Sequence, residues 1–229
     1  MEFIPTYFPD LNETQLQQLA NLHGYLLEWN AKLNLVSRQD AENLEERHLL
    51  SSLAIAKFVS FPKGSRILDV GTGGGLPGLP LAIVFPECEF LLVDSVGKKI
   101  AAVRDMSTRL GLQNVEAKTT RVEELQRKFD FVTGRAVKAL PLFMSWVIPR
   151  LKTGSEKGIE KGVIYLKGGD LSEEFKELGT EPSRRECLLN YFPKHDFFET
   201  KHVLHFPATD LLKTEIGKSL VPAPKRKRS

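Results

Sequence analysis

An open, mostly parallel α/β sheet with helices on both faces, an antiparallel strand at one edge and a small helical segment in front is the fold class this sequence predicts. Three observations lead there. From residue 61 onward, short apolar strands alternate with helical stretches. The first strand runs directly into a cluster of glycines, with an aspartate about 20 residues further on. The last two strand-like runs are joined by a connection too short to hold a crossover helix, as an antiparallel pair would be.

The elements follow in order. Leu16, Leu19, Leu22, Leu26, Trp29 and Leu33 recur at three- and four-residue steps, the mark of a helix with one buried stripe. Asn12, with Gln15 three residues on, fits its N-cap. A second helix is expected over residues 41–58, carrying Leu44, Leu49, Leu53 and Ile55, with Glu42, Glu45 and Glu46 near its start where they favour the helix dipole. Residues 1–60 thus read as a helical cap. Phe61-Pro62-Lys63-Gly64 then breaks the chain. Strands are expected at 66–70, 89–94, 115–119, 129–133 and 163–166. Helices are expected at 79–85 and 98–110, the latter closed by Gly111. Strands at 186–192 and 201–206 form the antiparallel pair. A catalytic domain over 61–212 and a basic flexible tail over 213–229 complete the division.

With 41% hydrophobic and 27% charged residues over 229 positions, the chain has enough apolar side chains to bury a core. No run approaches the roughly 18 apolar residues of a membrane helix, and Met1-Glu2-Phe3-Ile4-Pro5 does not begin a signal peptide. A cytoplasmic protein is expected. Cys88 and Cys187 form neither a C-x-x-C pair nor a disulfide framework. The net charge of +3 is uneven: residues 213–229 hold six basic side chains against Glu215 alone, a net +5, which leaves −2 for the other 212 residues. Within this tail Lys225, Arg226, Lys227 and Arg228 suit an anionic partner such as RNA; the tail serves equally well as a solubilising arm.

The strongest chemical signal is Asp69-Val70-Gly71-Thr72-Gly73-Gly74-Gly75, followed by Asp94 at the end of the next strand. Gly71 and Gly73 permit a tight turn and close approach of a ligand to backbone, Gly75 permits close helix packing, and Asp94 stands where a carboxylate accepts from both ribose hydroxyls. Gly73-x-Gly75-x-x-Gly78 also fits a dinucleotide fingerprint. That window starts too late after the strand, however, and puts Pro77 inside the motif. The in-register pattern, Asp-x-Gly-x-Gly-x-Gly, resembles the first motif of Rossmann-like methyltransferases, whose methyl donor is S-adenosylmethionine.

Among such enzymes, methylation at pyrimidine C5 requires a nucleophilic cysteine in a setting that neither Cys88 nor Cys187 has. Adenine amino-methyltransferases carry an Asn-Pro-Pro-Tyr-like run where this chain reads Thr133-Gly134-Arg135-Ala136-Val137. Guanine N7 needs neither device, because its in-plane lone pair attacks directly once aligned. Trp29-Asn30, Asn34-Leu35, Arg47-His48-Leu49, the run from Gly71 to Gly78 with Leu76-Pro77, Asp94-Ser95, Arg121-Val122-Glu123-Glu124, Gly134-Arg135-Ala136 and Leu166-Lys167-Gly168 together resemble one bacterial family. It is the glucose-inhibited division protein B (RsmG) family of small-subunit (16S) ribosomal RNA guanine-N7 methyltransferases, and the similarity runs from about residue 10 to 212.

The resemblance implies a class I methyltransferase fold in which Asp69, Gly71, Gly73, Gly75, Leu76 and Asp94 belong to the cofactor site. It further implies that Val122 and Glu123 contact the adenine and that Arg135 positions cofactor or base, with no dedicated acid or base. Arg47 is placed to meet RNA phosphate. The implied partner is ribosomal RNA or a partly assembled small subunit, bound by a monomer without membrane. One departure stands out: the family pattern Arg-His-x-x-Asp-Ser reads Arg47-His48-Leu49-Leu50-Ser51-Ser52 here, with Ser51 in place of the aspartate. His202 and His205 are three apart on an expected strand and so point to opposite faces, which argues against a metal site. Methylation of another RNA, a protein or a small molecule, and a cofactor-binding RNA chaperone without turnover, remain as alternatives.

Overall fold

The computed structural model describes residues 1–135 and 137–220. The first segment forms α1 (Phe3–Tyr7), α2 (Glu13–Leu33) and α3 (Arg38–Ala41), then a π-helical turn (Glu45–Leu50) that runs into α4 (Ser51–Phe58). At the start of α2, Asn12 Oδ1 accepts from the Gln15 amide at 2.9 Å and Gln15 Oε1 accepts from the Asn12 amide at 3.1 Å, a reciprocal capping box. The helix expected over 41–58 is thus interrupted, and its first turn is wound wide. There the Glu45 carboxylate accepts the amides of Glu2, Phe3 and Ile4 at 2.9, 2.9 and 3.0 Å, supplying the acceptor that the free first turn of α1 needs.

The rest of the chain adds β1 (Arg66–Val70), α5 (Gly78–Val84), β2 (Glu89–Asp94), α6 (Gly97–Arg109), β3 (Val115–Thr119), β4 (Phe131–Arg135), α7 (Leu140–Val147), a two-residue hairpin of β5 (Ser155–Glu156) and β6 (Ile159–Glu160), β7 (Gly162–Gly168), α8 (Ser172–Leu178), β8 (Arg184–Cys187), β9 (Lys201–Pro207), α9 (Ala208–Leu211) and α10 (Glu215–Leu220). The sheet order is β3-β2-β1-β4-β7-β9-β8. The first five strands are parallel; β9 runs antiparallel to β7 on one side and to β8 on the other, so β8 is the outermost strand. β8 starts at Arg184 and ends at Cys187, two residues into the expected 186–192 run, because Leu188 and Phe192 turn into the core, where the Phe192 ring meets Phe198 with centroids 5.1 Å apart.

Strand residues alternate between two cores, as a period of two dictates. Ile67, Leu92 and Ile164 point into the face covered by α2, α4, α5 and α6; Leu68, Val93 and Val163 point into the face covered by α7 to α10. Leu19, Leu22, Leu26 and Leu53 belong to the first of these clusters, so residues 1–60 are one of the layers that cover the sheet. Residues 213–220 also belong to the fold, correcting a tail drawn from 213. Thr214 is buried, its Oγ1 accepts the Gly217 amide at 3.0 Å, and Ile216 packs against the second core. Lys225, Arg226, Lys227 and Arg228 lie outside the described residues, as does Ala136. Among the described residues no helix is long and apolar enough to cross a membrane.

From β1 the chain moves outward through β2 and β3, and then crosses back to β4 and β7 on the other side. The reversal lies between β1 and β4, and a crevice opens beyond the carboxyl ends of strands at such a point. Gly71 follows β1 and Arg135 ends β4, so both stand at this crevice.

Candidate active site

Asp69 anchors the glycine loop from beneath. It is fully buried, and its carboxylate accepts Thr72 Oγ1 at 2.6 Å, Thr133 Oγ1 at 2.9 Å and the Gly78 amide at 3.1 Å. One side chain therefore ties the start of the loop, its end and the neighbouring strand together. Burial pushes its pKa up to about 6, against the pull of those hydrogen bonds and the Arg135 charge. Gly71, Gly73 and Gly75 have φ of +66°, +56° and +86°, the left-handed region that costs glycine nothing. A Cβ on Gly75 would sit 2.7 Å from Leu79 Cγ, so this glycine lets α5 approach the loop. Leu76 is buried in the first core. Asp69, Gly75 and Leu76 accordingly shape the loop from behind.

The front of the loop borders a cavity of about 480 Å³, lined among others by Gly71, Asp94, Val122, Glu123 and Arg135. Asp94 closes β2; its Oδ2 accepts the Gly73 amide at 3.1 Å and its Oδ1 the Val96 amide at 2.9 Å, which fixes the carboxylate at the cavity wall. Val122 is buried and Glu123 exposed on the 3-10 turn after β3. Lys99 on α6, Val137 and Trp146 also line it; the last two had no sequence signal, because α7 and the loop before it are recognisable only once folded.

That loop is clasped from below. Tyr165 Oη accepts the Val137 amide at 3.0 Å and Lys167 Nζ donates to Lys138 O at 3.2 Å, while Glu174 bonds Lys167 Nζ and the Leu140 amide, both at 2.6 Å. Val137 in turn lies against Gly71, where an added Cβ would come 3.0 Å from its methyls.

These residues suit S-adenosylmethionine. A cradle of glycines leaves backbone open at Gly73, where an added Cβ would touch nothing closer than 3.9 Å. A fixed carboxylate for ribose hydroxyls and an apolar wall at Val122 beside an acid at Glu123 match the polar and apolar parts of an adenosine.

Arg135 also lines a second cavity of about 300 Å³, between the π-turn and the ends of β7 and β9, with Arg47, His48, Ser51, Phe197, Lys201 and His202. Burial and the Arg135 charge depress the His48 pKa to about 4, so its ring is neutral at pH 7. Arg47 pairs with Asp40 at 2.8 Å, and its guanidinium carbon lies 5.0 Å from the Phe197 ring centre. His205 sits on the other side of β9, with Nε2 3.0 Å from Glu160 O. Neither cysteine lines either cavity, and burial pushes the Cys88 thiol up to about 11, leaving it protonated.

The family model described as rRNA small subunit methyltransferase G matches residues 15–195 of this chain. The ribosomal RNA small subunit methyltransferase G of Cytophaga hutchinsonii is 46% identical over 208 residues, covering 91% of this chain and 100% of the relative. That of Flavobacterium psychrophilum is 44% identical over 207 residues, covering 90% and 98%. Among solved structures, the [4+2]-cyclase SpnF aligns with a TM-score of 0.51 at 18% identity over 79% of this chain and 76% of its own, a likeness of fold alone. The fibrillarin/Nop5p complex aligns at 0.50 with 14% identity over 70% and 82%. On the family match and these identities, the chain belongs to the rRNA small subunit methyltransferase G family.

Proposed function

We propose that this protein transfers the methyl group of S-adenosylmethionine to N7 of a guanine in 16S ribosomal RNA. The observation that carries the reading is the pair of cavities meeting at Arg135, one bordered by the glycine loop and Asp94, the other rimmed by cations. When bound, S-adenosylmethionine supplies an electrophilic methyl on a sulfonium. The chain's own work is alignment. Asp94 and the loop hold the donor side, Glu123 and Val122 flank its adenine, and Arg135 orients what lies on both sides of it. N7 carries its lone pair in the ring plane, so no residue needs to remove a proton, and the depressed pKa of about 4 makes His48 a weak base in any case.

Incubation with small-subunit ribosomal RNA and methyl-labelled S-adenosylmethionine is expected to leave label in the RNA. Intact cofactor after long incubation would favour a chaperone, and label in a nucleotide or peptide in preference to RNA would favour a different acceptor. Asp94→Ala is expected to weaken cofactor binding about 10- to 100-fold in calorimetry, because two hydroxyls lose a charged acceptor and the Gly73 amide loses its anchor. Unchanged affinity would remove Asp94 from the site.

A further inference from the structure

The second cavity contains more unpaired polarity than a packing void would keep. Both ring nitrogens of His48, Nε of Arg47 and Nδ1 of His202 are buried without a hydrogen-bond partner among the described residues, and all three residues line this one cavity. Native folds pair their buried polar atoms, and a cluster that is left unpaired points to a ligand that completes it. His48 sits in the π-helical turn, a winding found mostly where a helix has been reshaped for function.

The lining is chemically specific. Arg47 and Lys201 both lie over the Phe197 ring, at 5.0 and 5.1 Å, which keeps two cations together on one aromatic support. His48 offers one donor and one acceptor, because its depressed pKa keeps the ring neutral. The volume of about 300 Å³ is at the lower limit for ligand pockets, enough for a single base and too small for a stacked duplex.

We infer that this cavity receives the acceptor guanine, turned out of its RNA stack, with His48 reading the base edge and Arg47 and Lys201 holding the phosphates beside it. The inference rests on the methyltransferase reading and adds to it the residues that select and seat the base. Base extrusion suits the geometry, because a ring inside a stack cannot reach a crevice at the end of a sheet. Guanine offers O6 as acceptor and ring and amino N–H groups as donors, so a neutral imidazole can pair with it where a charged one could only donate.

The test uses the full chain and the probes guanosine 5′-monophosphate and adenosine 5′-monophosphate, followed by NMR, together with steady-state methylation of small-subunit ribosomal RNA. Guanosine monophosphate is expected to move the His48 ring resonances and to bind about 10-fold or more tightly than the adenosine nucleotide. His48→Ala should erase that preference and lower kcat/KM for RNA about 10- to 100-fold, with S-adenosylmethionine affinity unchanged within about twofold. His48→Gln, which keeps a neutral donor and acceptor, should recover the preference in part. Lys201→Ala should raise KM for RNA with kcat little changed, and it gives the same reading of the cavity if the His48 variants fold poorly. A His48→Ala protein that retains both the base preference and wild-type kcat/KM would overturn the inference, as would a Lys201→Ala protein with unaltered KM. Guanosine monophosphate seated at His48 in a wild-type protein that methylates no RNA would support the pocket and strike only at the activity.

Discussion

Asp69→Ala is expected to lower stability by about 3–5 kcal/mol and to abolish measurable S-adenosylmethionine binding. The carboxylate is the shared acceptor for Thr72 Oγ1, Thr133 Oγ1 and the Gly78 amide, all buried. Alanine leaves three donors without a partner, at about 1–3 kcal/mol each; relief of the buried charge, and rotation of the two hydroxyls toward other acceptors, offset part of the total. The loss is a large share of the 5–15 kcal/mol typical of a folded domain. It falls on the two anchors of the glycine loop, so cofactor affinity goes with it. Asp69→Asn, which keeps one acceptor oxygen, should cost less. The folded-state pKa of about 6 lies above the ordinary value of 3.8. The contribution of this ionisation to stability is therefore fully present below about pH 4 and is lost as pH rises through 6, and that slope should vanish in Asp69→Asn. Urea unfolding across this pH range measures both effects, and a variant as stable as the wild type would contradict the anchoring role.

Arg135→Ala is expected to lower kcat/KM for RNA methylation by about 100-fold or more while the protein stays folded. Arg135 lines both cavities and stands at the end of β4. Burial depresses its pKa to about 10, still well above neutral, with the Asp69 and Asp40 charges opposing the shift. On the proposed reading a planar fork between donor and acceptor sides sets their relative orientation, and a misplacement of about 1 Å in such a geometry costs roughly 100-fold in rate. Arg135→Lys keeps the charge and loses the fork, so it should recover little. A fall confined to kcat would place the orientation in the transition state, and activity within about threefold of wild type would remove Arg135 from the reaction.

Local signals were legible in the sequence. The Asn12 and Gln15 capping box, the bounds of β1, β2 and β3, and the turn at Gly71, Gly73 and Gly75 each depend on a few neighbouring residues, and the structure has them where the sequence places them. Gly71 and Asp94 were legible for the same reason, since each follows or ends a strand at the same edge of the sheet, whereas Val122, Glu123 and Arg135 were singled out by the family resemblance; all five line the first cavity. What was not legible depends on distant contacts. α7 is apolar almost throughout and shows no stripe to read, and no local pattern marks the π-turn, whose Glu45 accepts amides from α1 about 40 residues away. Asp69 looked like part of the binding motif, and only the positions of Thr133 and Gly78 reveal it as an internal anchor. The second cavity draws on residues from Arg47 to His202, a separation no motif spans.

Transfer to N7 leaves a mark on the RNA that chemical cleavage reads. Small-subunit ribosomal RNA treated with the protein and S-adenosylmethionine is reduced with borohydride, cleaved with aniline and mapped by primer extension. Methylation at N7 makes the purine cationic and its glycosidic bond labile, so one new strand break is expected, at a guanine, dependent on both enzyme and cofactor. Methyl incorporation with no such break would place the methyl on another atom and contradict the N7 assignment.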